Sequence, residues 1–252
     1  MKETIDSILE KIFKFGDALV KLAILGFIVL IFLPLPGIYR LATGTGLILL
    51  VMYYIAFFNG LYFINKIAKI GEISDGFKLI GTGILASIVL IAYVGYSSLG
   101  MGIPYVTESI INYSGTVISV LIGSGFIFIG FGLRKLGLEN KIDRIILAGN
   151  LLVILVAVEL VLNIISLVVS NSILGLLLGM QIVLSLITIT IFYELGVGFK
   201  ELHKKLVEYA SQKELIDKLE KDIKQVSNEK LDSLARERNI SLMLLQILKY
   251  TA

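Results

Sequence analysis

The chain has no cysteine, no tryptophan, a single histidine and three prolines. Without cysteine there is no disulfide framework, no thiolate nucleophile and no thiolate-ligated metal. One histidine, His203, cannot build a histidine-based zinc site. Charge is scarce too, with Asp, Glu, Lys and Arg making up 17% of 252 residues. Soluble domains carry about a quarter. The net charge of +3 is too small to argue for a nucleic-acid partner. No zincin or phosphate-loop pattern occurs, and nothing calls for a cofactor or metal.

What the chain has in excess is apolar sequence: 56% hydrophobic residues and a mean hydropathy of +0.90. A bilayer core about 30 Å thick needs about 20 apolar helical residues to cross it. Six stretches qualify, at residues 18–39, 44–64, 79–100, 113–133, 145–169 and 173–195. Helices suit them, because lipid offers the backbone no hydrogen-bond partner and the alternation of a barrel strand is missing from all six. Pro34 and Pro36 predict a kink or an end to the first span. The expected fold is all-α: a polytopic membrane domain of six transmembrane helices over residues 18–198. An interfacial amphipathic helix at residues 1–17 precedes it, and a cytoplasmic helical tail with a coiled-coil segment, residues 199–252, follows it.

All but one of the 23 lysines and arginines fall on one side of these spans, Arg40 being the exception. An even number of spans with this asymmetry places both termini in the cytoplasm, as in a multi-pass protein of the cell membrane. With tryptophan absent, Tyr39, Tyr96, Tyr105 and Tyr113 anchor the outer boundary, and Tyr62 and Tyr193 the inner one. In the N-terminal segment Ile5, Ile8, Leu9, Ile12 and Phe13 recur at helical spacing between charges. That spacing predicts a helix lying in the inner interface. Glu3, Asp6 and Glu10 within it argue against a cleavable signal peptide.

Inside the spans, Gly115, Ser119 and Gly123 follow one another at four-residue steps, and Gly175 and Gly179 repeat the pattern in the sixth span. Such small residues let helix backbones approach closely in lipid. Glu159 is the ionisable residue set deepest in a span, about 21 Å from its inner start at 1.5 Å per residue. A charge there costs about 2.5–3.5 kcal/mol, so the carboxyl is protonated, paired or beside water. Asn163 lies one turn on, and Gln181 sits at comparable depth on the returning helix. Glu159, Asn163 and Gln181 form a candidate intramembrane polar cluster, able to bind a proton, a cation or a polar substrate group, or simply to hydrogen-bond between helices. Enzyme signatures fail: no aspartate lies within a span for paired-acid chemistry, and Gly123-Ser124-Gly125 lacks the spacing of a rhomboid-type nucleophile. The chain reads as non-enzymatic. The second-to-third and fourth-to-fifth spans share a loose hairpin pattern, with identities few enough for chance to explain them.

The tail is a different material. Phe199, Leu202, Leu206, Tyr209, Ile216, Leu219, Ile223 and Val226 follow alternating steps of three and four, with Lys, Glu and Asp between them. The pattern fits a coiled-coil seam for self-association or a partner helix, and equally an amphipathic helix folding back on its own loops. Gly196 and Gly198 predict a hinge at its start. Ser241 can cap a last helix, whose apolar sequence argues against reading nucleic acid.

The layout resembles an uncharacterised archaeal family of small polytopic membrane proteins, a domain of unknown function. The residues that carry the resemblance are FLPLPG at 32–37, GLRKLG at 132–137 and IFYEL at 191–195. It spans about residues 25–195, and it implies no activity and no functional residues. The expected role is assembly or anchoring through the tail, as a homo-oligomer or in a membrane-protein complex. The competing role is a transport subunit: a channel, a carrier or the membrane component of a larger translocation apparatus, working through Glu159.

Overall fold

A computed structural model describes residues 4–32, 39–98, 108–168, 174–211 and 240–251, together with 219, 223, 230, 231 and 233–235. Pro34, Pro36, Ile216 and Val226 lie outside the described residues. Every regular element among those described is a helix: α1 (Ile5–Phe32), α2 (Tyr39–Ala68), α3 (Gly71–Ser98), α4 (Glu108–Asn140), α5 (Asp143–Val168), α6 (Leu174–Ala210) and α7 (Leu242–Thr251). Four of them contain stretches long and apolar enough to cross a membrane: Gly71–Tyr96, Tyr113–Asn140, Asp143–Asn163 and Ile182–Ala210. On α3, Leu85, Ile88, Val89 and Ile91 are all more than half exposed. In water such a face would drive aggregation, whereas lipid solvates it. The fold is all-α, with the build of a multi-pass membrane protein.

The chain divides into two compact units. The first comprises Met1–Ile70, Leu133–Ala148 and Thr188–Ala252, the second Gly71–Gly132 and Gly149–Ile187. In the first, α1, α2 and the C-terminal half of α6 share an aromatic core. Phe15 of α1 meets Phe199 of α6 with ring centroids 4.8 Å apart. Phe192 of α6 meets Tyr53 and Phe57 of α2 at 4.6 and 5.5 Å. The Tyr53 hydroxyl donates to the Leu22 carbonyl, so the polar tip of the stack is satisfied. α7 packs on α1 and α2 and buries Met243, Leu244, Leu245, Ile247 and Leu248. Complete burial of a side chain of this size is worth about 1.5–3 kcal/mol.

Two expectations change here. The amphipathic stretch at residues 1–17 is not a separate interfacial element, because α1 runs unbroken from Ile5 to Phe32. Its apolar stripe, Ile8, Leu9 and Ile12, is buried inside the first unit in line with Phe15 and Leu19. Phe13 stays outside, with its ring 5.2 Å from that of His203. The predicted hinge is also missing, because α6 continues through Gly196 and Gly198. Those glycines serve close approach instead. A Cβ on Gly196 would lie 2.7 Å from the carbonyl oxygen of Gly16, and one on Gly16 would lie 2.7 Å from that of Gly196. A Cβ on Gly198 would fall 2.6 Å from the Ile145 side chain.

In the second unit α4 is the shared helix, and its glycines face two neighbours. Toward α3, a Cβ on Gly125 would lie 2.7 Å from the Gly76 carbonyl oxygen, and one on Gly132 would lie 2.4 Å from Ile73. Toward α5, a Cβ on Gly123 would lie 3.0 Å from Leu160, and one on Gly130 would lie 2.9 Å from the Gly149 carbonyl oxygen. Each pair repeats after two turns, the period of left-handed helix packing. α2 and α4 also end alike. Lys69 and Lys141 adopt left-handed backbone angles, φ 51° and 54°, and each is followed by a buried isoleucine, Ile70 or Ile142. A residue in that conformation is the usual stop of a helix.

Two substitutions on α4 separate close approach from mere small size. Gly125→Leu should destabilise the protein by about 1–3 kcal/mol, because backbone cannot yield to the added atoms. Gly115→Leu, with nothing within 4 Å of its Cβ position, should leave stability unchanged. Reversible unfolding in detergent measures both.

Candidate functional site

Glu159 and Asn163 lie one turn apart on α5, both exposed, within a stretch able to cross a membrane. The Gln181 side chain is outside those described, so its distance from them is not defined. Of the small residues singled out in sequence, Gly123 packs on Leu160, Ser119 is half-buried and Gly115 faces open space. The surroundings of Gly175 and Gly179 are outside the described residues. The glycines that hold α4 to its neighbours also include Gly125, Gly130 and Gly132, which a search at four-residue steps misses. A search at seven-residue steps would have found them.

Most of the described tail-stripe residues are buried within the chain. Phe199, Leu202, Leu206 and Leu219 are fully buried, Ile223 is 1% exposed, and Tyr209 is half-buried. Apolar burial of this kind leaves no free seam on those residues. The charged side chains between them, Glu201, Lys204 and Glu208, are exposed.

The polar chemistry that the structure does bring together sits at the end of the first unit where the lysines gather. Asp17 of α1 accepts from Lys200 of α6 at 2.7 Å and pairs with Lys21 one turn on at 2.6 Å. Arg144 of α5 donates to Glu194 at 2.8 Å and to Glu201 at 3.0 Å, two acids spaced two turns apart along α6. Read singly, Glu194 looks like a boundary residue, and the matching spacing of Glu201 is the signal that reveals the clamp. Asn140, 6% exposed, donates to the Leu136 carbonyl at 2.8 Å and accepts from Ser241 at 2.6 Å. Ser241 in turn caps α7 through the Leu244 amide. Lys205 donates to the Lys141 carbonyl at 2.8 Å, and Gln246 of α7 donates to the Ala68 carbonyl at 2.9 Å. Through these bonds the tail supplies donors to carbonyls at the ends of α2 and α4, which have no partner inside their own helices.

Among them lies a cavity of about 580 Å³. Among the described residues Lys69, Lys135, Lys249, Glu139, Gln246 and Tyr250 line it. Its apolar wall includes Ile67, Ile70 and Leu231. Lys66 sits over the Tyr250 ring at 5.4 Å. Among the described residues no three His, Asp or Glu side chains are grouped to hold a metal ion.

No known protein family, curated protein or solved structure matches the chain.

The Asp17 pairing has a measurable consequence. Hydrogen bonds from Lys200 and then Lys21 hold its carboxyl below the ordinary value of 3.8. A lowered carboxylate pKa contributes stability that is fully present above the unfolded value and is lost as pH falls through the folded one. Asp17→Asn should therefore lower the unfolding temperature at pH 7. The gap from wild type should close as pH falls below 3.8 through the lowered folded value. Paired melts in one detergent across that range test it.

Proposed function

We propose that the chain is a non-enzymatic, six-span integral membrane protein with both termini in the cytoplasm, acting as an assembly or anchoring component. The observation that carries this reading is the outward position of Glu159, with Asn163 one turn on, in a helix able to cross a membrane. A carboxyl facing hydrocarbon costs about 2.5–3.5 kcal/mol. A polar group on a neighbouring helix relieves that cost. A second copy of the chain or another membrane subunit would cover Glu159 in this way. Six spans follow if α1 and α2 cross the membrane alongside the four qualifying helices.

In this reading the tail acts as a folded platform on the cytoplasmic side, not as a free coiled-coil strand. Its apolar stripe is spent on its own chain, and what it offers a partner is the charged face of Glu201, Lys204 and Glu208. The layout of small polytopic archaeal membrane proteins fits the same reading. Glu159 also suits a transport subunit, since an acid at a subunit interface in the membrane can take up and release a proton or cation.

Native mass spectrometry of protein extracted in mild detergent tests the proposal. The wild type is expected as an oligomer or a stoichiometric complex, and Glu159→Leu should weaken that association about threefold to fifteenfold, the range of hydrogen bonds between membrane helices. A monomeric wild type without partners would sink the assembly reading. Loss of ion flux in Glu159→Gln proteoliposomes, with association intact, would select transport instead.

A further inference from the structure

We propose that Glu159, with Asn163 one turn on, is a binding site for one monovalent cation, either a proton or a sodium ion. The first argument comes from a repeat. Lys69 and Lys141 stop α2 and α4 with the same left-handed backbone, φ 51° and 54°. Carried forward by the distance that separates these two lysines, the residues buried from Tyr53 to Gly83 fall on buried residues again, Ile67 excepted. Leu61, Ile64, Ile73 and Ile80 become Leu133, Leu136, Ile145 and Leu152, and Gly60 becomes Gly132. The match runs through the turn, where helical periodicity alone would lose it. One hairpin is therefore present twice, and internal repeats of this kind build many transporters.

The two copies act as controls for each other. What the hairpin fold requires appears in both: the buried stripe, the glycine and the left-handed stop. α3 and α5 run on unbroken, so the register places Glu159 where the first copy has Ser87, and Asn163 where it has Ile91. Ser87 donates to the Gly83 carbonyl of its own helix at 2.9 Å, and Ile91 is 70% exposed. The first copy folds without an acid at this level. The acid of the second is an addition to the hairpin.

Charge fixes the class of ligand. Throughout the second unit the charged side chains are Glu72, Asp75, Lys78, Glu108 and Glu159. Lys78, the one basic residue in its sequence, pairs with Asp75 at 2.8 Å in the first turns of α3. Residues 79–107, 109–132, 149–158 and 160–187 contain no Lys, Arg, His, Asp or Glu. A carboxylate within a stretch able to cross a membrane costs about 2.5–3.5 kcal/mol, and a single positive charge removes that cost. A divalent ion such as calcium would leave a net charge and takes about six to eight oxygen ligands. Asn163 adds a neutral amide oxygen one turn from the carboxyl. The inference rests on α5 crossing a membrane and deepens the transport reading of Glu159; it needs no second subunit.

The test labels the full chain in membranes with dicyclohexylcarbodiimide, a lipid-soluble reagent for protonated carboxyls, and locates the adduct by peptide mass spectrometry. Glu159 is expected to be labelled ahead of the other acids, and its labelling should fall about tenfold per pH unit once the site deprotonates. Sodium chloride, set against choline chloride at equal strength, separates the two ions. Saturable protection assigns sodium, and equal labelling in both salts with the pH dependence intact assigns the proton alone. If sodium protects, Asn163→Leu should weaken that protection. Glu159→Ser, which restores the residue of the first copy, should abolish the labelling while the unfolding temperature holds or rises. A Glu159 that stays unlabelled from about pH 5 to about pH 9, labelling that ignores both pH and sodium, or a Glu159→Ser chain that no longer folds overturns the proposal. A chain that fails to sediment with membranes overturns the membrane reading as well, so the two failures are told apart.

Discussion

Where α1 crosses α6, Gly16 and Gly196 come so close that neither can carry a side chain, and the rest of the first unit follows from that contact. Helices in lipid gain little from burying apolar surface against one another, so backbone proximity and the contacts it permits must hold them. The crossing sets the rotation of both helices. Asp17 follows Gly16 and Lys200 lies one turn past Gly196, so the same approach that excludes a Cβ brings carboxylate and ammonium to 2.7 Å. Gly198 does the same for α5, seating Ile145 and bringing Arg144 between Glu194 and Glu201. The ion pairs are a consequence of the packing more than its cause. Their side chains are partly exposed, and exposed pairs contribute little by themselves.

How much of this a sequence can convey depends on what each residue type leaves open. Long apolar runs announced helices, and four are long and apolar enough to cross a membrane. The stripe from Phe199 to Ile223 announced a face that needs covering, but periodicity does not say whether the cover is another chain or the same one. Gly196 and Gly198 admitted two readings, flexibility and close approach, and only the position of Gly16 decides between them. Small residues on α4 were sought at steps of four, whereas the helix uses Gly123 with Gly130 and Gly125 with Gly132, because it serves two neighbours at a left-handed crossing. The cavity had no sequence signal at all. Its three lysines come from stretches far apart in the chain, and only folding assembles them.

Polar groups in this molecule stand in two settings. At the lysine-rich end, donors are plentiful, and several do structural duty: Ser241 with Asn140, Lys205 with Lys141, Gln246 with Ala68. These bonds answer the unpaired carbonyls that every helix end leaves behind. Farther along α5, Glu159 lies exposed within a stretch long and apolar enough to cross a membrane. The contrast is informative because the chain is so sparing of charge, at 17% of residues.

The last helix of the tail is held both by burial and by hydrogen bonds. α7 buries nearly all of its apolar side chains, and its two polar anchors, Ser241 at the start and Gln246 in the middle, reach α4 and the end of α2. An apolar helix meant for exchange with a partner would keep its seam free and its polar groups turned to water. Here the seam is inside and the donors are committed to other helices. Removing the tail would therefore expose carbonyls at the ends of α2 and α4 as well as the stripe beneath. The surface at this end is made jointly by the tail and the helices it caps.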